Sequence, residues 1–272
     1  MTDSPELDDL IVRATAADGS PPFSDGALVQ LAHGERELLW EFDAEGNRVG
    51  AALDSKGAAE FVIDPDARGR GHGARMLDML THPSRGGAGT AKLFWAHGDH
   101  PAARALAAHH RLESIRTLLH LRLEPIPVGS RGAAVTFTAD DADAWVELNG
   151  RVFAAHPEQG AVTRADLDTT MGEPWFDADD FLLIKDGLEL IGYAWLKVVD
   201  GEGEFYAVGV APERQGTGLG RALMAAGFAR LAERGMHSTH LYVEGDNEAA
   251  LGLYRSMGFA EASVDRQYHY VH

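Results

Sequence analysis

Two glycine-rich segments of the chain have the composition and spacing to bind a phosphorylated ligand. The first is Arg68-Gly69-Arg70-Gly71-His72-Gly73 and the second is Gln215-Gly216-Thr217-Gly218-Leu219-Gly220. Each follows an apolar stretch and a proline turn, and each opens a helical pattern. The first N–H groups of a helix lack intrahelical partners and the helix dipole adds positive charge, while glycines let phosphates approach the backbone closely. Four arginines add positive charge at these turns: Arg68, Arg70, Arg214 and Arg221. The segments predict two anion sites, for which a pyrophosphate is the natural ligand.

Neither segment matches the better-known phosphate-binding motifs. A P-loop needs a Gly-Lys-Ser/Thr sequence, and neither segment has one. A dinucleotide-binding fingerprint lies in the first strand-to-helix turn of its domain, whereas these glycines follow several predicted strands. A single turn of this kind is equally consistent with a helix start that binds nothing. Its recurrence at the same place in both halves of the chain favours binding.

The two segments belong to a repeated pattern of strands and helices. Arg68 and Gln215 lie 147 positions apart (215 − 68), about half the chain. The predicted strands are 38–42, 49–53, 91–96 and 118–123 in the first half, and 181–184, 190–198, 240–243 and 264–270 in the second. The predicted helices are 74–80, 102–109, 221–233 and 248–257. We therefore predict a mixed α/β fold of two tandem domains, residues 1–127 and 133–272, divided at a Pro- and Gly-containing segment.

The composition excludes several functional classes. The 272 residues contain 24 Lys and Arg against 42 Asp and Glu, a formal charge of −18, which disfavours binding to nucleic acid and to anionic membranes. The absence of cysteine excludes disulfides, Cys-ligated metal centres and Cys nucleophiles. No stretch of about 18 residues is apolar enough for a membrane span, and the acidic residues 1–6 lack the features of a signal sequence. We expect a cytoplasmic monomer.

The second half of the chain resembles the GNAT family of N-acyltransferases. The resemblance rests on Val210-Ala211-Pro212-Glu213-Arg214-Gln215-Gly216-Thr217-Gly218-Leu219-Gly220 and on Asn247-Glu248-Ala249-Ala250-Leu251-Gly252-Leu253-Tyr254-Arg255-Ser256-Met257-Gly258-Phe259. It implies a tandem GNAT fold that binds acetyl-CoA, with the pyrophosphate on the glycine turn and the pantetheine arm between two separated central strands. The ligands that it implies in the second half are Val208, Gly209, Val210, Gln215, Gly216, Thr217, Gly218, Leu219, Gly220, Arg221 and Asn247. The corresponding residues of the first half are Phe61, Val62, Ile63, Arg68, Gly69, Arg70, Gly71, His72 and Gly73.

Nearly the whole chain is similar to a narrower family, mycothiol synthase. The similarity rests on the tandem halves together with residues 94–98, 156–160, 173–177 and 241–247. It implies acetyl transfer from acetyl-CoA to the cysteinyl amine of desacetylmycothiol, a thiol sugar. The acceptor ligands that it implies are Asp25, Glu158, Lys197, Glu204 and Tyr242. Ordinary structural roles stay open for most of them: a helix N-cap region for Asp25, a turn carboxylate for Glu158, a rim charge for Lys197 and sheet packing for Tyr242.

Tyr254 is the candidate general acid. Amide formation from a thioester leaves a thiolate that must take up a proton, and a tyrosine hydroxyl can supply it. Spacing alone favours a core aromatic, because Leu251, Tyr254 and Gly258 share a helix face. The GNAT resemblance favours the acid. Alignment of the two halves places Ala107 opposite Tyr254, so we expect the first half to be non-catalytic.

Glu204 is the candidate general base that deprotonates the amine through water. The even spacing of Glu204, Tyr206 and Val208 predicts one strand face for all three. A carboxylate on a central strand needs a partner or a function, although a solvated residue at a strand start is the simpler interpretation. Glu202 is the alternative base, and it suits a solvated loop better.

Two other functions and one metal site remain as alternatives. The chain could acetylate another amine, such as an aminoglycoside or a peptide N-terminus. It could also bind CoA without catalysis, as a sensor or scaffold with a decayed site. A histidine cluster, His97 with Asp99 and His100, is more typical of a turn and N-cap than of a zinc site, so we expect no metal.

Overall fold

Helices and strands follow the hydrophobic pattern in the computed structural model, which describes residues 4–82, 92–154 and 159–270. The helices are α1 (Pro5–Asp18), α2 (Asp25–Ala32), α3 (His72–Leu80), α4 (Pro101–His109), α5 (Ala142–Val152), α6 (Arg164–Met171), α7 (Leu219–Glu233) and α8 (Glu248–Ser256). The strands are β1 (Glu37–Phe42), β2 (Arg48–Asp54), β3 (Ala58–Ile63), β4 (Lys92–Ala96), β5 (Glu113–Leu123), β6 (Val135–Thr136), β7 (Phe181–Asp186), β8 (Glu189–Val199), β9 (Glu202–Val210), β10 (Thr239–Glu244) and β11 (Ala260–Tyr270). Every element predicted above is confirmed, with shifted ends, while α1, α2, α5 and α6 were not predicted. Within the described ranges, no helix combines the length and the apolar content that crossing a bilayer requires.

The chain divides into two compact units. The N-terminal unit comprises residues 1–119, 244–246 and 262–272, and the C-terminal unit comprises residues 120–243 and 247–261. The last strand of the chain therefore belongs to the N-terminal unit. A compact unit need not coincide with a duplicated stretch of sequence, so the boundaries 1–127 and 133–272 stay a prediction.

The same order of strand pairings occurs within each unit. In the N-terminal unit β1, β2 and β3 form an antiparallel meander, β3 is parallel to β4, and β11 is antiparallel to β4. In the C-terminal unit β7, β8 and β9 form the meander, β9 is parallel to β10, and β6 pairs with β7. This recurrence agrees with the duplication that the sequence predicts.

Apolar side chains cover both faces of the C-terminal unit's sheet. On one face Trp145 of α5 packs in a cluster with Phe181, Tyr193 and Trp195. On the other face Leu223 of α7 packs with a second cluster of strand residues: Ile184, Ile191, Ala194, Val208 and Val210. Each fully buried side chain of this size stabilises the fold by roughly 1.5–3 kcal/mol. Strand β8 is accordingly buried along almost its whole length, which fixes the position of its neighbour β9.

A charged network is buried inside the N-terminal unit. Nε2 of His97 lies 3.1 Å from Glu60 Oε2, and its Nδ1 lies 3.0 Å from Asp265 Oδ2. Glu60 also accepts hydrogen bonds from the backbone N–H and the hydroxyl of Ser24, at 2.7 and 2.9 Å. Burial opposes the charge of His97, but the bonds to Asp265 and Glu60 outweigh it and raise the pKa of His97 to about 9. The imidazolium thus joins β3, the end of β4, β11 and the start of α2.

We expect this network to make the stability of the N-terminal unit depend on His97 in alkaline solution. The pKa of His97 is higher in the folded than in the unfolded chain, so its contribution is complete below about pH 6.5 and is lost as pH rises through about 9. The loss is on the order of 3 kcal/mol. Urea unfolding at pH 6.5 and at pH 10 measures it, with the His97→Gln variant as the reference, because the titrating groups outside this network are the same in both proteins. An equal pH dependence in both proteins would contradict a charged His97.

Candidate active site

A gap between β9 and β10 is the central feature of the C-terminal unit. These parallel strands pair only at Gly203 with Thr239 and at Glu204 with His240. Residues 205–210 of β9 continue alongside β8, yet in the described part of the chain they pair with no residue of β10. The separation of the central strands that the resemblance implied is therefore present. The open edge of β9 can accept an extended ligand as an added strand.

A β-bulge in β9 determines on which face of the sheet each side chain near this gap lies. Phe205 pairs with Leu196 and Ala207 with Trp195, so Tyr206 is an extra residue without a cross-strand partner. Such a residue shifts the alternation of side chains by one position. Ala207 consequently packs with Trp195 on one face, while Val208 packs with Leu223 on the other. The prediction that Glu204, Tyr206 and Val208 share a face is wrong for Val208, because period-2 spacing assumes a strand without a bulge.

The glycine turn of the C-terminal unit ends at an uncapped helix. Gly216 and Gly218 have φ of +74° and +90°, and a Cβ at either position would meet nothing within 4 Å. The backbone conformation therefore demands glycine, and the space above the turn is open. Gly218 is the N-cap of α7 and offers no side chain, and the first helical bond runs from the N–H of Ala222. The N–H groups of residues 219–221 are thus available to an anion such as a pyrophosphate.

Gly220 has a different role from the other two glycines. A Cβ there would lie 3.1 Å from Cδ2 of Leu253, so this residue allows α7 to pack closely against α8. The neighbouring arginines are held at this end of the helix. Nη2 of Arg221 donates to Oγ of Ser256 at 2.8 Å, and Nη2 of Arg214 is paired with Asp186 at 2.7 Å. The charge of Arg214 is therefore already compensated, contrary to its predicted role in adding positive charge to the turn.

Glu204 lies where β9 and β10 separate. It is opposite Lys197 of β8 and in register with His240 of β10. Within the described residues it makes no hydrogen bond and no ion pair closer than 4.0 Å. Burial raises the pKa of Glu204 above the ordinary carboxyl value, and the charge of Lys197 offsets only part of that rise. A partly desolvated, unpaired carboxylate can accept a proton from an amine near neutral pH. The side chain of Glu202, the alternative base, is 65% exposed.

Tyr254 is buried on the inner face of α8. Only 8% of it is exposed, its ring centroid lies 5.8 Å from that of Phe259, and Leu251 shares its face. Burial raises the pKa of Tyr254 to about 12, so the phenol is protonated at neutral pH and is able to donate. The hydroxyl of the nearby Tyr193 donates to Asn149 at 2.6 Å, whereas the described residues offer no such partner to the hydroxyl of Tyr254. A core position and a proton-donating hydroxyl are therefore compatible.

Two predicted acceptor ligands share a sheet face with Glu204. Lys197 is its direct cross-strand neighbour. Tyr242 follows His240 by two positions on β10, is 48% exposed, and stacks on His120 with ring centroids 4.7 Å apart. Of the other two, Asp25 is the exposed first residue of α2 in the N-terminal unit, directly after the N-cap Ser24. Glu158 lies outside the described residues.

Comparison with known proteins decides the family. The Acetyltransferase (GNAT) family model matches residues 145–259. The chain is 46% identical, over 94% of its length, to the mycothiol acetyltransferase of Clavibacter michiganensis subsp. michiganensis, of which 88% is covered. It is 40% identical, over 98% of its length, to the mycothiol acetyltransferase of Kytococcus sedentarius, of which 93% is covered. The chain belongs to the mycothiol acetyltransferase family. It is an acetyltransferase.

Solved structures confirm the mixed α/β tandem GNAT fold for this member of the mycothiol acetyltransferase family. A GCN5-related N-acetyltransferase from Sphaerobacter thermophilus aligns with a TM-score of 0.76 over 99% of this chain and 92% of its own, at 19% identity. A tandem GNAT protein from the clavulanic acid biosynthesis pathway aligns with a TM-score of 0.65 over 100% of this chain and 97% of its own, at 16% identity. At these identities the likeness concerns the fold.

The N-terminal unit of this family member repeats the glycine turn with nearly the same backbone. Gly69 and Gly71 have φ of +74° and +87°, and Gly71 is the uncapped N-cap of α3. A cavity of about 430 Å³ lies beside the turn and is lined by residues of β3, β4, α3 and α4. Apart from Arg70, all the acetyl-CoA ligands that the resemblance implied in this half line the cavity. The pairing of β3 with β4 is again short, with Ala58 opposite Leu93 and Ala59 opposite Phe94.

Glu204 and Tyr254 have no counterparts at the equivalent positions of the N-terminal unit. The offset of 147 positions (215 − 68) places Ala107 opposite Tyr254. Because β9 has one extra residue at its bulge and β3 has none, Ala58 is opposite Glu204, in agreement with the pairings Ala58–Leu93 and Glu204–His240. Ala107 lines the cavity and is buried. Asp18 and Tyr268 also line the cavity, but neither stands at one of these two positions, so counterparts of the groups proposed for proton transfer are missing there.

Two side chains expected at the N-terminal turn serve the structure of the unit. Arg68 binds both carboxylate oxygens of Asp18 at 2.7 Å and donates to the carbonyl of Ile63, so its charge is compensated. His72 is buried, with Nδ1 3.0 Å from Glu41 Oε1. Asp18 lies on α1, a helix that was not predicted, and it offsets the charge that Arg68 was expected to add to the turn. Ligand binding by Arg68 stays a prediction.

Several residues near Glu204 were not predicted as site residues. His240 is next to it on β10 and contacts His120, with ring centroids 5.0 Å apart. Trp175 contacts Tyr206 and Lys197 from the segment between α6 and β7. The only sequence signal for a role of Trp175 was that it is an aromatic residue in a predicted loop. The cluster at 97–100 is taken up by ion pairs, and the described residues contain no group of three or more potential metal ligands.

Proposed function

We propose that the chain transfers the acetyl group of acetyl-CoA to the cysteinyl amine of desacetylmycothiol. The relatives named mycothiol acetyltransferase support this acceptor, since they match nearly the whole chain at 40–46% identity. The gap between β9 and β10 carries the proposal, because it provides an open strand edge for the thioester with Glu204 at its base. Acetyl-CoA supplies the acyl group in activated form, as a thioester.

The chain's own groups support a direct transfer. The amine nitrogen attacks the thioester carbonyl while Glu204 accepts a proton from the amine, directly or through water. The backbone of residues 208–210 orients the thioester and polarises its carbonyl. As the carbon–sulfur bond breaks, the hydroxyl of Tyr254 donates its proton to the sulfur, so that amide and thiol are formed. Lys197, Tyr242, Asp25 and Glu158 are the proposed contacts of the thiol sugar.

We also propose that the N-terminal unit binds a second acetyl-CoA that it does not turn over. The repeated glycine turn and the 430 Å³ cavity support binding. Ala58 and Ala107, in place of a carboxylate and a phenol, support the lack of turnover.

The matched variants Gly218→Val and Gly71→Val should separate the two acetyl-CoA sites. Valine at a positive φ is strained by about 1–2 kcal/mol and places methyl groups over the N–H groups of the helix start. Calorimetric titration with acetyl-CoA should give two sites for the natural chain and one for each variant. Turnover should be lost only in Gly218→Val. A single site in the natural chain would contradict binding by the N-terminal unit.

An acceptor panel tests the proposed reaction. The purified chain is incubated with acetyl-CoA and, in parallel, desacetylmycothiol, cysteine, an aminoglycoside and a peptide with a free N-terminus. Released CoA thiol measures the rate, and mass spectrometry identifies the acetylated product. Desacetylmycothiol should have the highest kcat/KM by a wide margin. Faster acetylation of another amine would make that amine the acceptor instead of desacetylmycothiol. If no amine gave a product, the result would favour CoA binding without catalysis.

A further inference from the structure

The ammonium group of Lys197 lies over two aromatic rings. Its Nζ is 5.3 Å from the ring centroid of Trp175 and 5.8 Å from that of Tyr206. The centroids of the two rings lie 5.2 Å apart, and both rings contact the ring of Trp195. Cation–π contacts of this kind contribute from about 0.5 to 2 kcal/mol, with the larger values where water is excluded. We call Trp175 and Tyr206 the aromatic pair.

This position is unexpected because a carboxylate is directly across the sheet. Lys197 and Glu204 are cross-strand neighbours on β8 and β9, with side chains on the same face. Opposite charges at such positions normally attract one another. Nevertheless no carboxylate oxygen of the described residues lies within 4.0 Å of Nζ of Lys197, and Glu204 has neither an ion pair nor a hydrogen bond there. The rings hold the ammonium group instead.

Both rings are placed by the wider structure of the C-terminal unit. Tyr206 is the extra residue of the β9 bulge, which leaves it on the face of Glu204. Trp175 belongs to the segment between α6 and β7 and packs on the cluster around Trp145 and Trp195. The aromatic pair is thus fixed from two separate parts of the chain.

We propose that Trp175 and Tyr206 are positioning residues that hold Lys197 away from Glu204 and so keep this carboxylate unpaired and able to accept a proton. This inference rests on the proposed function, since it assigns Glu204 as the base. An ion pair would have two costs for the reaction. It would occupy the oxygens that must accept the proton, and it would make the carboxylate a weaker base.

The groups around Glu204 define what its titration reports. Lys197 faces it from β8, His240 is next to it on β10, and Glu202 and Tyr206 precede and follow it on β9. Burial raises the pKa of Glu204 and Lys197 lowers it, while burial and then His120 lower the pKa of His240. His240 is thus neutral near pH 7, and Lys197 is the cation able to change the state of Glu204. An opposite charge that moves to within about 4–6 Å lowers a carboxyl pKa by about 1–3 units.

The pH dependence of kcat/KM in the full-length Trp175→Leu variant tests the proposal. Loss of the ring lets Lys197 approach Glu204, so the pKa of the acid limb should fall by about one unit or more. The rate on the plateau should fall about tenfold. In the double variant Trp175→Leu/Lys197→Met, the pKa of the acid limb should return at least to its value in the natural chain. A merely structural role of Trp175 would produce neither shift nor reversal.

Three further variants serve as controls. Trp145→Leu removes a ring from the same core without touching Lys197, so it should lower the unfolding midpoint and leave the acid limb in place. Tyr206→Leu should repeat the shift, and it covers the case in which Trp175→Leu does not fold, because Tyr206 is 38% exposed. Tyr206→Phe retains the ring and should keep the natural limb.

Two outcomes separate this inference from the proposed function. An unmoved acid limb in folded Trp175→Leu and Tyr206→Leu, with Glu204→Gln inactive, would overturn the role of the aromatic pair alone. Full turnover of desacetylmycothiol by Glu204→Gln would overturn the base itself, and the inference with it.

Discussion

Replacement of Tyr254 by phenylalanine should lower kcat by about 10²-fold or more while the fold is retained. The hydroxyl is the proposed donor to the leaving sulfur. The pKa of Tyr254, raised to about 12 by burial, keeps it protonated throughout the working pH range. Phenylalanine preserves the ring that packs on Phe259, and no hydrogen bond within the described residues is lost. Steady-state kinetics with saturating acetyl-CoA, together with the thermal unfolding midpoint, provide the measurement.

Tyr193→Phe is the matched control for this variant. Tyr193 is also fully buried in the C-terminal unit, and its hydroxyl donates to Asn149. Removal of that hydroxyl breaks a buried hydrogen bond, at a cost of about 0.5–1.5 kcal/mol, and kcat should change little. Tyr254→Phe should therefore lower the rate and keep the stability, whereas Tyr193→Phe should lower the stability and keep the rate. Unchanged kcat in Tyr254→Phe would reduce Tyr254 to a core aromatic.

The local elements of this chain follow from its sequence because local patterns encode them. The predicted strands 181–184 and 190–198 form the hairpin of β7 and β8, and an Asp-Gly dipeptide between them supplies the turn, where Gly187 has a φ of +63°. The glycine spacing predicted two uncapped helix starts, and the structure contains both. In these cases the deciding interactions lie within a few residues of one another.

Features that depend on distant contacts did not follow from the sequence. The pattern of β11 predicts a strand but not its partner, β4 of the N-terminal unit. Similarly, the side-chain faces of β9 depend on a bulge opposite Trp195 that no local pattern indicates. Arg68 could be paired with Asp18 only once α1 was known to lie beside it. Such partners are chosen by tertiary packing, whose long-range pairings leave no mark in a local pattern.

The two halves of the chain share a backbone frame but differ in the side chains proposed for the reaction. Both have a meander, a short parallel pairing and a glycine turn with positive φ at equivalent positions. Those backbone features bind phosphates and a pantetheine arm whatever the reactive side chains are. The positions of Glu204 and Tyr254 are occupied by Ala58 and Ala107 in the N-terminal unit. The carboxylate that β3 does carry, Glu60, lies two positions further on and is bound by His97. We propose that this difference of two side chains separates binding from turnover.

Glu204→Gln should have the other large effect, a fall in kcat/KM of about 10²- to 10⁴-fold at neutral pH. Glutamine has nearly the same shape but cannot accept the proton. In the natural chain kcat/KM should rise with pH through an acid limb above the ordinary carboxyl pKa, because burial stabilises the protonated form of Glu204. That limb should be absent from the variant's residual activity. Glu202→Gln decides between the two glutamates, since a comparable loss there would favour the alternative base.

The same substitution should stabilise the fold as it removes activity. The pKa of Glu204 is higher in the folded than in the unfolded chain, so the ionised carboxylate disfavours folding once the pH exceeds the unfolded value. Glutamine carries no such charge, so the unfolding midpoint of Glu204→Gln should exceed that of the natural chain at pH 7 and match it near pH 4. A lower midpoint at pH 7 would mean that Glu204 is held by partners in the folded state. A carboxylate that costs stability and supplies rate is the combination expected of a catalytic base.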